Sequence, residues 1–119
     1  MKYDLEWRLV KFSKNILHVI RKIAITQINS NIVNQVLRSA TSIWANYHEA
    51  NWASSKRDFR NKIYICRKEA QETYYRLDLL LDIEEIYNKE LSILLKESKE
   101  LVLIFNKISS SLKDTSTVE

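Results

Sequence analysis

The sequence predicts an all-α fold: an antiparallel up-down-up-down four-helix bundle that forms one domain over residues 1–119. The first observation is that the 119 residues include no glycine and no proline. Glycine supplies the positive-φ positions of tight turns and proline rigidifies loops, whereas both break helices, so an all-helical chain tolerates their absence best. The second observation is four windows of helical periodicity, because helices of about 20 residues with short connections pack as such a bundle.

The first two helices are expected over about residues 4–24 and 31–50. The polar stretch 25–31 separates them, and Asn29 or Ser30 is the expected N-cap of the second helix, since Asn and Ser favour caps over helix interiors. The apolar stripe of the first helix recurs at steps of three and four: Leu5, Leu9, Phe12, Ile16, Val19 and Ile23. The second stripe comprises Val33, Val36, Leu37, Ala40, Ile43, Trp44 and Tyr47.

The third and fourth helices are expected over about residues 56–81 and 89–109. Ser54 or Ser55 should cap the third, and Ser55 would place Asp58 at the third helical position, beside the positive helix end. The turn before the fourth helix is placed at residues 82–88, with Asn88 as a candidate cap, and the polar tail 110–119 is expected to fray. The two core stripes are Phe59, Ile63, Cys66, Ala70, Leu77 and Leu81, then Leu91, Leu94, Ser98, Leu101, Phe105 and Ile108.

The motifs of common bundle enzymes and metal sites are absent from the sequence. His18 and His48 are the only histidines, and neither follows a glutamate by three residues, as di-iron bundles require. The single cysteine, Cys66, has no second thiol for a disulfide and lies on the core stripe, so we expect a small buried apolar side chain. We therefore expect no enzymatic activity, no metal and no cofactor.

The location of the protein is also constrained by its sequence. The N-terminus has no apolar signal region, and no stretch approaches the roughly 18 apolar residues of a membrane span. We therefore expect a soluble, cytoplasmic protein with no membrane partner.

Basic residues are concentrated in the third helix. The net charge of the chain is +4, with seven Lys/Arg and three Asp/Glu over residues 56–76, but five and nine over residues 77–119. Five cations share one helical arc with Tyr64, Gln71 and Tyr75 among them, namely Lys56, Arg57, Arg60, Arg67 and Lys68. Cations beside aromatic rings suit a nucleic-acid backbone and its bases. A solvated helix face or an interface with a partner helix would explain the same pattern.

Two further stripes are not explained by one bundle core. The second helix carries small and amide side chains on one arc, Gln35, Arg38, Ser39, Ser42, Asn46 and Glu49. Because Ser and Asn are poor in helix interiors unless they make specific bonds, we predict hydrogen bonds to a neighbouring helix or subunit, with Arg38 pairing Glu69 or Glu72. An ordinary exposed face is the alternative. Tyr64, Tyr75 and Leu79 form a second apolar strip on the third helix, which predicts self-association.

Segments 39–50, 55–65 and 68–77 resemble the bacterial four-helix-bundle protein family. This family includes proteins encoded in intervening sequences of large-subunit ribosomal RNA genes, and the accessory variability determinant of diversity-generating retroelements looks like a relative. Trp44 departs from the family, which often has a small residue there. The positions that match the family pattern are Arg38, Ser39, Ala40, Ser42, Ile43, Ala45, Asn46, Glu49, Ala50, Asp58, Phe59, Glu69, Ala70 and Glu72.

The resemblance implies a four-helix bundle, commonly a ring-shaped homopentamer, with no established enzymatic activity. Relatives of the accessory protein bind a reverse transcriptase and nucleic acid through a basic surface. Together with the basic arc, this predicts a non-catalytic oligomeric scaffold that associates with RNA, DNA, or a reverse transcriptase or other nucleic-acid enzyme. The alternative is a protein–protein interaction module with no nucleic-acid role.

Overall fold

The computed structural model describes the backbone of residues 2–117 and the side chains of residues 4–112. Its four α-helices are α1 (Lys2–Ile20), α2 (Ser30–Asn51), α3 (Lys56–Ile83) and α4 (Asn88–Thr117), with one 3-10 turn at Glu85–Tyr87 before α4. No β-strand occurs within residues 2–117. The predicted all-α fold with four helices is confirmed, and the packing of these helices is that of a bundle.

The core consists of the apolar stripes that the sequence predicted. Every predicted core residue of α1 is buried, and Phe59, Leu81 and Ile108 of the later helices are partly buried against the same cluster. At the centre, Tyr47 meets Phe105 edge to face with ring centroids 6.1 Å apart. The pairs α2–α3 and α3–α4 pack most extensively, whereas α1 packs least against α4. Trp44 is not in the core, since more than a third of its surface is exposed.

The connection from α1 to α2 corrects the expected end of the first helix near residue 24. The helix ends at Ile20 because the next amides form tight turns, in which Ile23 donates to the Ile20 carbonyl. Asn29 precedes α2 as predicted, but its side chain does not cap the helix. Instead, it accepts from the Thr26 amide at 2.8 Å and donates to the Ala24 carbonyl at 3.0 Å. It also donates to Glu84 at 2.8 Å, which joins this connection to the end of α3.

The connections before and after α3 lie where the sequence predicted them. The Ser55 hydroxyl accepts a hydrogen bond from the Asp58 amide at 3.0 Å, so Ser55 is the N-cap that the sequence proposed. The turn before α4 occupies the expected stretch, although Asn88 is the first helical residue and not a side-chain cap.

The fourth helix is longer than the sequence suggested. It continues to Thr117, beyond the expected end near residue 109, whereas fraying of the tail stays a prediction; residues 118–119 lie outside the described part of the chain. Leu112 packs partly buried against the core, and the Ser111 hydroxyl donates to the Ile108 carbonyl at 2.9 Å. These contacts give the polar tail an apolar anchor, and a serine that bonds its own helix does not interrupt it.

Candidate nucleic-acid interface

The five predicted nucleic-acid-binding residues lie on the first half of α3, and we call them the basic face: Lys56, Arg57, Arg60, Arg67 and Lys68. Arg60 is partly buried and the other four are exposed. Among the described side chains, none of the five has a carboxylate within 4.0 Å. The basic face is therefore a set of cations whose charge is not neutralised by contacts within the protomer.

Aromatic and apolar side chains accompany these cations. The Arg67 guanidinium lies 5.6 Å from the centroid of the Tyr64 ring, within the range of a cation–π contact. Tyr64 is partly buried, whereas Tyr75 is 64% exposed and Leu79 is 42% exposed. The predicted second apolar strip is thus open to solvent over its C-terminal part. A cation stacked on a ring can contact a phosphate while the neighbouring aromatic surface remains available to a base or another protein.

Two cations of the basic face oppose the dipole of α3, although Asp58 in the same first turn favours it. Lys56 and Arg57 occupy the first turn, where the unpaired amides already carry partial positive charge. Asp78 and Asp82 are exposed near the opposite end, where the dipole is negative. Charges in the opposite order would stabilise the helix by about 0.3–1 kcal/mol each. Helix stability therefore does not account for the position of Lys56 and Arg57.

The predicted polar network of α2 is formed largely within that helix. The Asn46 amide donates to the Ser42 carbonyl at 2.9 Å and to its hydroxyl at 3.1 Å. The Arg38 guanidinium donates to Gln35 at 3.0 Å, and its distance to Glu72 on α3 is 4.0 Å. Because adjacent turns of one helix bring residues i and i+4 together, the Asn46 amide bonds to Ser42 of its own helix and not to the neighbouring helix, while a contact with another subunit stays a prediction.

Contacts from α2 to α3 are made by other members of the stripe. Glu49 accepts from Lys62 at 2.7 Å, and this hydrogen bond lowers the pKa of the Glu49 carboxyl from its ordinary value. The buried Ser39 hydroxyl lies 2.8 Å from the Thr73 hydroxyl, which in turn donates to the Glu69 carbonyl at 2.7 Å.

Glu69 is buried with an unsatisfied carboxylate oxygen. The residue is 9% exposed, and its Oε1 atom has no hydrogen-bond partner among the described residues. Glu72 accepts a hydrogen bond from Arg76 at 3.2 Å and also forms the predicted ion pair with Arg38, at 4.0 Å.

Sequence reasoning missed three partners in this region: Lys62, Thr73 and Arg76. Thr73 could have been found from spacing, because it lies between Ala70 and Leu77 in the steps of three and four that define the core stripe. A buried hydroxyl at such a position needs a hydrogen-bond partner, and the available hydroxyl on α2 is that of Ser39.

The remaining reactive side chains agree with a structural role. Burial raises the pKa of the Cys66 thiol to about 12, and its Sγ donates to the Ile43 carbonyl at 3.6 Å.

Among the described side chains, no group of three or more His, Cys, Asp or Glu is arranged to hold a metal ion. None of the helices in residues 2–117 is both long and apolar enough to cross a membrane.

Comparison with known proteins decides the family. Residues 7–107 match the model of the 23S rRNA-intervening sequence protein family. The chain belongs to this family. A solved structure of a protein of unknown function, from the S23 ribosomal protein family of Bacteroides thetaiotaomicron, is 34% identical with a TM-score of 0.77. The alignment covers 87% of this chain and 96% of that protein. No curated protein matches the chain.

Proposed function

We propose that this 23S rRNA-intervening sequence family member is a non-catalytic, oligomeric scaffold that associates with nucleic acid through the basic face of α3. The observation that carries the proposal is that these five cations have no carboxylate partner in the described protomer. The placement of Lys56 and Arg57 in the first turn, against the helix dipole, supports a role other than helix stability. The family name, which refers to a ribosomal RNA insertion, adds support.

Binding of this kind would be electrostatic and independent of sequence. Each phosphate neutralised releases condensed counterions, so five contacts give a slope of log affinity against log salt of about −4.5 for duplex DNA and −3.5 for a single strand. One protomer would bind weakly at physiological salt. An oligomer repeats the basic face, and linked sites raise the overall affinity without any new contact.

Self-association is the second part of the proposal, and a homopentamer is the form that we expect. It is supported by apolar side chains that the protomer leaves open, in particular Tyr75, Leu79 and the adjoining Ile83 on α3. A contiguous apolar surface on a soluble domain marks a protein-interaction site. Light scattering coupled to gel filtration should give the mass of five 14.2 kDa chains, and a concentration-independent mass of one chain would contradict self-association.

Nucleic-acid binding is tested by fluorescence anisotropy with 20-nucleotide single-stranded RNA and DNA and a 20-base-pair duplex, over 20–300 mM KCl. We expect Arg57→Gln, Arg67→Gln and Lys68→Gln together to abolish binding with mass and helicity unchanged, because all three residues are exposed. The matched control replaces three exposed lysines of α4, Lys89, Lys96 and Lys99, by glutamine. It removes the same charge outside the basic face and should retain most of the affinity.

Three results would contradict nucleic-acid association: no binding of any probe at 20 mM KCl, equal loss in both triple variants, or no loss in the basic-face variant. The alternative, a protein–protein interaction module with no nucleic-acid role, would then be favoured. The exposed Tyr75 and Leu79 are the specific observation on its side. In that case the unmodified protein should keep its oligomer mass, whereas the Tyr75→Ser and Leu79→Ser variants should have a lower mass.

A further inference from the structure

One end of the bundle contains an open cleft of about 1210 Å³, which we call the end cleft. It lies where α1 begins, where α2 connects to α3, and where α4 approaches its C-terminal end. Its lining combines buried or partly buried apolar side chains, which we call the base, with basic side chains that include the exposed Lys56 and Lys107, which we call the edge. The apolar side chains are Leu5, Tyr47, Phe59, Ile104, Ile108 and Leu112. The basic ones are Arg8, Lys56, Arg60 and Lys107.

A ridge of α4 borders the cleft. α1 packs least against α4 of the neighbouring helices. Ile104, Ile108 and Leu112 follow one another at intervals of four on α4, and each is only partly buried. Residues at this spacing form the ridge that an adjacent helix packs against, so the protomer has an incompletely covered helix-packing position.

The basic edge determines the charge of a complementary ligand. Arg8 is already held by Glu97 through two hydrogen bonds of 2.8 Å. Among the described side chains, Lys56, Arg60 and Lys107 form no ion pair. Asp4 is the one acidic residue in the lining. A ligand that approaches the cleft therefore meets three uncompensated cations around an apolar base.

The dimensions favour a helix over a small molecule. Small-molecule sites are enclosed pockets of roughly 300–1,000 Å³, whereas this cleft is larger and open. The ridge from Ile104 to Leu112 is about 12 Å long at 1.5 Å per residue, which is about two turns of a packed helix. A basic edge alone would suit nucleic acid, but the aliphatic ridge of Ile104, Ile108 and Leu112 would not match its charged backbone.

We propose that the end cleft docks an amphipathic α-helix of a partner protein with acidic residues along its flanks. Its apolar face packs on the ridge formed by Ile104, Ile108 and Leu112, as helices do when they bind in apolar grooves. Its flanking carboxylates pair with Lys56, Arg60 and Lys107. The site shares Lys56 and Arg60 with the basic face, whereas Lys107 and the ridge do not belong to that face, so variants of Lys107 and Ile108 test the cleft alone.

The test uses a fluorescein-labelled 16-residue synthetic helix with leucine at positions i, i+3, i+4 and i+7 and glutamate on both flanks. A control peptide carries lysine in place of each glutamate. Anisotropy should show at least tenfold tighter binding of the acidic peptide. Lys107→Glu should weaken binding about tenfold, and Ile108→Ala should weaken it as well. Lys99→Glu, an exposed charge reversal on α4 outside the cleft lining, should have little effect.

Several results would overturn the proposal. These are no binding of the acidic peptide, equal binding of both peptides, or equal weakening by the charge reversals at Lys107 and Lys99. Binding of dodecanoate or of a 20-nucleotide single strand at the cleft, dependent on Lys107 and without binding of the acidic peptide, would likewise refute a helix ligand. The basic-face variant Arg57→Gln, Arg67→Gln and Lys68→Gln should bind the acidic peptide normally. The cleft and the nucleic-acid proposals can therefore fail independently.

Discussion

The buried hydroxyl pair between α2 and α3 gives a prediction of measurable size. Ser39 and Thr73 are both 0% exposed, and their hydroxyl oxygens lie 2.8 Å apart. The Ser39 hydroxyl also lies 3.3 Å from the Val36 carbonyl oxygen, and the Thr73 hydroxyl lies 2.7 Å from the Glu69 carbonyl oxygen. Each hydroxyl has one proton, so the shortest contacts are satisfied together when Thr73 donates to Glu69 and Ser39 donates to Thr73.

The expected magnitudes follow from this arrangement. A net hydrogen bond stabilises a protein by about 0.5–1.5 kcal/mol. Ser39→Ala removes the interhelical bond but gains helix propensity, so it should lower the free energy of unfolding by only about 0.5 kcal/mol. Thr73→Val keeps the shape, loses both bonds and should cost about 1–2 kcal/mol. In the double variant the interhelical bond is lost only once, so the two changes should fall short of additivity by about 1 kcal/mol.

The assay is urea unfolding followed by circular dichroism, at one protomer concentration because an oligomer's stability depends on it. A control cycle pairs Thr41→Ala, an exposed hydroxyl of α2, with Thr73→Val. This cycle should be additive within about 0.3–0.5 kcal/mol. If the Ser39–Thr73 cycle is equally additive, the hydroxyl pair does not join the helices, and the reasoning about the α2 stripe is wrong.

Two further predictions concern single buried side chains. At pH 8, Cys66 should react with iodoacetamide at least a thousandfold more slowly in the folded protein than in 8 M urea. The reason is that a thiol with a pKa of about 12 forms almost no thiolate at this pH, and that the thiol is buried. Similar reaction rates in the two conditions would contradict its burial. Asn29→Ala should lower the free energy of unfolding by about 2 kcal/mol, since three side-chain hydrogen bonds are lost, whereas the exposed Asn34→Ala should change it by less than about 0.5 kcal/mol in the same thermal scan.

The sequence predicted the helices and core well, because one physical signal dominates both. Apolar side chains at steps of three and four must lie on one face, so Leu9, Phe12 and Ile16 were placed correctly without knowledge of their neighbours. The Ser55 cap was equally local. Asn29 was not, because its partner Glu84 is distant along the chain, and no local rule distinguishes a cap from a tertiary bond.

The candidate sites were less predictable for the same reason. Exposure of Arg57 and Lys68 could be inferred from one helix, but the absence of a carboxylate partner depends on where α4 lies. The end cleft was invisible to the sequence, since it depends on how all four helices meet at one end of the bundle. The prediction ended the fourth helix near residue 109, so it did not place Leu112 on one ridge with Ile104 and Ile108.

The charge order along α3 bears on how assembly and nucleic-acid binding can coexist. The helix spans about 42 Å from Lys56 to Ile83, far more than the Debye length of about 8 Å at physiological salt, so its basic and acidic ends act independently. Protomers that lie parallel in the proposed ring bring like ends together, and the apolar strip at Tyr75 and Leu79 must then outweigh that repulsion. Added salt screens the repulsion but weakens counterion-dependent binding. Between 50 and 300 mM KCl, light scattering should therefore show an oligomer that is kept or strengthened while anisotropy shows nucleic acid being released, and parallel loss of both would mean that nucleic acid itself holds the protomers together.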